Sequence, residues 1–193
     1  MTPIHIWRIP LDTAQVPPPT PGESARAARF RNPAHAARYL KSHAALRATL
    51  ARYTEKPLEF ALREKGKPYL PLSPELRFNL SHSHDLALVA VALNIEVGVD
   101  VEKLRPMPQF AQLAERFFPP SEPAPLDETD FFRRWTRVEA RLKAIGVGLY
   151  GASIDPHGPW TVHDVEVPEG FAAALAAEGD AFTIQVHDYG DTP

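Results

Sequence analysis

Two short stretches of this chain carry side chains able to do chemistry. Gly98 to Glu102 reads GVDVE, and Trp135 to Leu149 reads WTRVEARLKAIGVGL. On a strand, residues two apart share a face, so Asp100 and Glu102 stand on one side and Val97, Val99 and Val101 on the other. Two carboxylates on one face, with no lysine between them, repel each other. Either both face water or a hard cation lies against them, and Mg²⁺ takes carboxylate, water and phosphate oxygens. In the second stretch Trp135, Glu139 and Leu142 recur at spacings of four and three, the period of one helix face. Glu139 and Lys143 are four apart and rise from the same face. Such a pair is most often simply solvated. Here Gly146 and Gly148 follow, ending the helix and letting backbone approach closely, which suits a phosphate or metal site. Asp100, Glu102 and Glu139 together would make a three-carboxylate set for one divalent ion.

The elements that must position these groups can be read around them. Asp127 or Thr129 caps the helix that carries Glu139 and Lys143. Leu86 to Leu93 (LALVAVAL) is nearly all apolar and reads as a strand buried on both faces. The next strand, Ile95 to Val101, follows across a tight turn at Asn94, and the two are expected to form a hairpin. Leu76 to Ser83 (LRFNLSHS) alternates Leu76, Phe78 and Leu80 against Arg77, Asn79 and Ser81, another strand. Ile4 to Ile9 is a strand stopped by Pro10. Asn32-Pro33 opens a helix that runs to about Tyr53 and carries Arg38, Lys41, Arg47 and Arg52 outside its apolar face. Leu58 to Leu62 reads as a short strand and Glu64 to Lys67 as a turn. Phe110, Leu113, Ala114 and Phe117 mark a short helix, followed by a proline-rich loop containing Glu122. Trp160 to Val167 and Phe182 to His187 read as strands, and Phe171 to Ala177 as a helix by its alanine content. Each half thus holds a helix and several short strands. The expected architecture is α+β in two lobes, residues 1–97 and 98–193, the second carrying the metal site. The cleft between lobes is the default site.

Composition narrows the class. A net charge of −3 over 193 residues argues against a general nucleic-acid surface. The chain has no cysteine, so disulfides, thiol catalysis and zinc–thiolate sites are excluded. No apolar run approaches the ~20 residues of a membrane span. The start, MTPIHIWRIP, lacks the basic and apolar regions of a signal peptide, and a cytoplasmic location is expected. Much of the 21-residue proline content sits in VPPPTPG and PPSEPAP, which read as stiff connectors.

Four segments, taken in order, resemble the 4′-phosphopantetheinyl transferases: Gly66-Lys67-Pro68, Phe78 to Ser83 (FNLSHS), GVDVE, and WTRVEARLKAIGVGL. The length is similar to the larger monomeric type, in which one chain holds two similar lobes. The resemblance covers roughly residues 30–150 closely. It implies that a serine of an apo acyl or peptidyl carrier protein attacks the β-phosphorus of coenzyme A. The phosphopantetheine arm moves to the serine and adenosine 3′,5′-bisphosphate leaves. By this resemblance Asp100, Glu102 and Glu139 hold Mg²⁺, or Mn²⁺, and Lys143 binds phosphate. Glu139 is the first candidate for general base and Glu122 the second. Lys67, Pro68, Ser81 and His82 hold the 3′-phosphate and adenine, with Arg31 and Arg38 adding positive charge. His43 and His84 are left as surface or packing residues. Many relatives carry lysine directly before the motif glutamate, where this chain has Val138. Two rivals follow: a weakened carrier-binding module of the same fold, and a Mg²⁺-dependent nucleotide pyrophosphate hydrolase. The expected partners are coenzyme A and a carrier protein, with no nucleic acid and no membrane, and the expected state is a monomer.

Overall fold

The computed structural model of the chain describes residues 1–119, 122–147 and 158–191. Pro120 in the proline loop, and Gly148 and Leu149 in the second motif, lie outside the described residues. The described elements run β1 (Thr2–Pro10), α1 (Pro21–Ala27), α2 (Pro33–Leu50), β2 (Ala61–Leu62), β3 (Pro68–Tyr69), β4 (Leu76–Ser83), β5 (Leu86–Leu93) and β6 (Val97–Lys103). They continue with α3 (Phe110–Phe117), α4 (Glu128–Ile145), β7 (Trp160–Asp164), β8 (Phe171–Glu178) and β9 (Phe182–Asp188). The fold is α+β, as expected.

Two sheets pack face to face with a helix against each outer side. The first has strand order β4-β5-β1-β9 and the second β6-β8-β7. Alternation along β1 and β5 explains the arrangement. Ile4, Ile6, Leu88 and Ala90 point into a core shared with Val97, Val99, Val101 and Leu175 of the second sheet. Trp7, Ile9, Val89 and Val91 point the other way, against Ala45, Leu46 and Leu50 of α2. β5 therefore needs apolar residues on both faces, which is why LALVAVAL shows no polar alternation. β9 pairs parallel with β1, so the first sheet takes an edge strand from the far end of the chain.

Local chemistry sets the helix ends. The Asn32 side chain accepts the Ala34 N–H and Pro33 opens α2. Asp127, not Thr129, caps α4, its carboxylate accepting the Asp130 N–H at 2.8 Å. Gly146 ends α4 in the left-handed region at φ 82°, and its N–H returns to Leu142 O.

Two expectations are corrected. β5 and β6 are not a hairpin. Asn94, at φ 58°, turns the chain from one sheet to the other. β5 is already flanked by β4 and β1, so it has no free edge for β6, which pairs with β8 instead. Phe171 to Ala177 is a strand, not a helix: it forms β8 at the centre of the second sheet. Alanine favours helix locally, but here both faces of the strand demand small apolar side chains. Ala173, Leu175 and Ala177 face the shared core, while Ala174 and Ala176 meet Ala140 and Ala144 of α4. Tertiary packing overrides the propensity.

That alanine face lets α4 lie close to the sheet, and Gly98 is where the approach is tightest. A Cβ built on Gly98 would sit 2.1 Å from Ala140 O and 2.3 Å from Ala144 N. Both are backbone atoms and cannot swing aside. Gly98→Ala is expected to destabilise the fold by about 3 kcal/mol, the upper end of ordinary overpacking. The denaturant midpoint measures this, and an unchanged midpoint would show that α4 is not seated on β6.

Candidate active site

The site forms where β6, α4 and the end of β4 meet. Among the described residues β6 is an edge strand, and no main-chain partner pairs its free side. Side chains of β4 pair it instead. Asn79 Oδ1 accepts the Val99 N–H at 2.9 Å, Ser81 Oγ the Val101 N–H at 3.3 Å, and Ser83 Oγ the Lys103 N–H at 3.1 Å. The polar half of the FNLSHS alternation is thus a ladder from one sheet to the backbone of the next. It fixes β6 in a register that turns Gly98, Asp100 and Glu102 toward α4.

The same serines set the carboxylates. Ser81 Oγ donates to Asp100 Oδ1 at 2.8 Å, and Ser83 Oγ to Glu102 Oε2 at 3.1 Å. Lys143 Nζ, from the last turn of α4, lies 2.7 Å from Asp100 Oδ1 and 2.9 Å from Ser81 Oγ. Arg105 also reaches Glu102 Oε2, at 2.9 Å. Burial raises the Asp100 carboxyl above its ordinary value, against the pull of Lys143 and Ser81, and Glu102 raises it further. Burial also raises Glu139, with Asp100 and Glu102 adding to the shift and Lys143 opposing it. The three acids named from the sequence therefore share one electrostatic neighbourhood. Among the described residues, no group of three or more His, Asp or Glu side chains stands in a geometry that could hold a metal ion. Asp100 Oδ2 is nevertheless buried and has no hydrogen-bond partner among the described residues. An orphaned carboxylate oxygen beside two further acids is the donor set a divalent cation would satisfy.

The other named residues divide. The His82 imidazole is held below its ordinary value, first by desolvation and then by the positive charges of Lys143, Arg38 and His35. Lys143 and Arg38 thus bring positive charge to the end of β4, as an anion site would need. Arg31 is exposed just before α2. Pro68 lines a cavity of about 590 Å³ with Tyr39, His43, Phe60 and Leu80. Ser81 has one donor and two acceptor positions, and Asp100, Lys143 and Val101 take all of them. It anchors the site from beneath. Lys67 is buried with its ammonium 2.8 Å from Glu96 Oε2, 3.0 Å from Val97 O and 2.7 Å from Ala144 O. Its three donors are used inside the protein, so the structure does not offer it to a phosphate. Glu122 has Arg134 at 4.0 Å and the charge of Arg137 as neighbours, and is not brought to the Asp100–Glu139 group.

Two residues escaped the sequence reading. His43, taken as surface or packing, lines the cavity, and burial lowers its pKa to about 4. Its spacing of four from Tyr39, which it contacts at 4.1 Å between ring centroids, was the available signal. Glu96 collects Lys67, Arg63 at 2.7 Å and Arg77 at 3.0 Å. Nothing in its local sequence marked it.

This geometry can be set beside known proteins. The 4′-phosphopantetheinyl transferase HetI of Nostoc sp. is 38% identical over 165 residues, covering 76% of this chain and 70% of its own. The chain belongs to the 4′-phosphopantetheinyl transferase superfamily. The family profile of that description matches residues 96–187, from Glu96 through β9. The transferase psf-1 of Bacillus pumilus is 32% identical over 176 residues, covering 86% of this chain and 67% of its own. The transferase Sfp of Bacillus subtilis is 28% identical over 185 residues, covering 82% and 81%. Membership makes this chain a transferase enzyme. It also gives Val138 a physical setting: the valine packs with Phe131, Phe132 and Trp135 into an aromatic cluster under α3. A side chain turned that way serves packing rather than a phosphate.

Glu96 makes a pH test available. Burial opposes its ionisation, but the hydrogen bonds and charges of Lys67 and Arg63 outweigh this and hold the carboxyl below its ordinary value. A depressed folded-state pKa gives stability that is complete above the unfolded value, 4.5, and is lost as pH falls through the folded value. The melting-temperature gap between wild type and Glu96→Gln is therefore expected to be constant near neutrality and to close below that pH. A gap that persists unchanged into acid would show that Glu96 is not the ionised hub.

Proposed function

We propose that the chain transfers the 4′-phosphopantetheine arm of coenzyme A to a serine of an apo acyl or peptidyl carrier protein, releasing adenosine 3′,5′-bisphosphate. The observation that carries this reading is the meeting of Asp100 and Glu102 from β6 with Glu139 and Lys143 from α4 at one place. Phosphoryl transfer is mainly positioning and charge neutralisation, and this group supplies both. Asp100, Glu102 and Glu139 would hold Mg²⁺ or Mn²⁺, which supplies Lewis-acid polarisation of a pyrophosphate when bound.

The chain's own residues have these roles. Lys143 is held by Asp100 and Ser81 with its charge at the site, where it offsets negative charge developing on the phosphates. Glu139 stands beside Asp100 and Lys143 and accepts the serine proton. His82, near Lys143 and Arg38, binds phosphate oxygens with Arg38, and Arg31 adds positive charge. The cavity lined by Tyr39, Phe60, Pro68 and Leu80 has the size and apolar walls suited to the adenine nucleoside. Serine delivery calls for contact with the carrier. The groove between α3 and the proline loop, about 550 Å³, has Ala114, Phe118 and Pro123 among its lining and offers an apolar contact, with Glu115 and Glu122 also lining it. With a net charge of −3 the chain does not attract an acidic carrier as a whole, so a local patch and apolar area must do so. No described helix is long and apolar enough to cross a membrane. We place the reaction in the cytoplasm and read the active unit as a monomer.

The test is to mix the protein with coenzyme A, Mg²⁺ and an apo carrier protein and weigh the carrier by mass spectrometry. Gain of one phosphopantetheine is expected. Cleavage of coenzyme A without carrier would indicate a pyrophosphate hydrolase, and carrier binding without mass gain a module that has lost turnover. Glu139→Gln is expected to lower turnover by about 10²- to 10⁴-fold while the fold remains intact. Near-normal turnover in that variant would remove Glu139 as the base. His82→Ala is expected to raise the coenzyme A concentration needed for half-maximal rate, with kcat changed less.

A further inference from the structure

The geometry points to Lys67 as a positioning residue that clamps β6 to the end of α4 and so sets the spacing of the two halves of the active site. The inference rests on the transferase reading above. Lys67 sits in the turn between β2 and β3, far in sequence from both elements, yet it is 8% exposed and its ammonium is surrounded by protein. Two of its three acceptors are main-chain carbonyls. Val97 O belongs to the first residue of β6, three residues before Asp100. Ala144 O belongs to the last turn of α4, one residue after Lys143. That carbonyl is among those a helix end leaves without an internal partner. A single ammonium therefore spans the strand that carries Asp100 and Glu102 and the helix that carries Glu139 and Lys143.

The surroundings are built for this. The aliphatic stem of Lys67 lies over Gly146, where an added Cβ would be 3.3 Å from Lys67 Cβ and Cδ. The α4 terminus is thus closed by the lysine and a left-handed glycine together. Glu96, immediately before β6, supplies the third acceptor and the countercharge. Arg63 and Arg77 hold Glu96 in turn, so the carboxylate is fixed from both sides. A buried ammonium is costly unless paired and fully bonded, and this one is both. Without the clamp, β6 and α4 still pack through Gly98 and the alanines. The distance between Lys143 and Asp100 then rests on that packing alone, without the ammonium that ties Val97 O to Ala144 O. Misplacing a reacting group by about 1 Å can cost about 10²-fold in rate.

Three variants, Lys67→Met, Lys67→Arg and Glu96→Gln, test the assignment by the carrier-modification assay, with coenzyme A and 3′-dephospho-coenzyme A as alternative donors. A clamp predicts that Lys67→Met and Glu96→Gln lower kcat about 10- to 100-fold. KM for coenzyme A changes little, and the preference for coenzyme A over the dephospho form stays at the wild-type ratio. Lys67→Arg does not rescue, because a planar guanidinium cannot serve three converging acceptors. If Lys67 instead binds the 3′-phosphate, the loss falls on KM, the two donors become equivalent, and arginine restores activity. That pattern overturns the inference. So does wild-type kcat in Glu96→Gln, which keeps the test decisive if Lys67→Met does not fold. A wild-type protein that modifies no carrier overturns the transferase reading and this inference with it.

Discussion

The structure depends on how an edge strand is satisfied. β6 pairs with β8 on one side, and on the other its N–H groups face a different sheet. Asn79, Ser81 and Ser83 answer them one by one. An unpaired edge is ordinarily a liability, open to other chains and to register slips. Here the side-chain ladder does what a neighbouring strand would do, and it does so at a crossing between sheets. Two of the three residues also hold the acids of the site. The contact that joins the sheets is therefore also the contact that orients Asp100 and Glu102.

The site itself is an electrostatic conflict kept in place by packing. Asp100 is buried, Glu102 pushes its carboxyl up, and Asp100 and Glu102 together push that of Glu139 the same way. Lys143 relieves part of this but leaves Asp100 Oδ2 unpaired. Such a cluster is kept because surrounding elements over-determine it, not because it is locally stable. The close alanine contact between α4 and the second sheet provides that determination.

Much of the fold was legible because period and punctuation agreed. β4 and β5 match their expected bounds, α4 begins at a predicted cap, and Gly146 ends it. The failures have definite causes. The alanine run in β8 hides a strand, since neither face of a strand between two apolar layers shows alternation. The β5–β6 turn looked like a hairpin because sequence does not reveal that β1 already occupies the free edge of β5. Within the site, the acids and Lys143 were readable from spacing. The inward direction of Lys67 was not, since the resemblance sends a lysine in a Gly-Lys-Pro turn toward a phosphate. Only the carbonyls of Val97 and Ala144, remote in sequence, explain where it goes.

One feature of the topology bears on how the molecule is made. β1 and β9 lie side by side in parallel, joining Thr2 to Phe182 and Arg8 to Asp188. Everything between the two strands must leave the ribosome before β1 can gain its second neighbour. Until then β1 presents a bare flank, with Trp7 and the isoleucines beside it still seeking cover. Pairings this remote along the polypeptide close slowly, because the entropy of the intervening loop must be overcome first. Assembly of the hydrophobic interior thus waits on the tail, and a nascent chain halted before residue 182 would hold an incomplete first sheet.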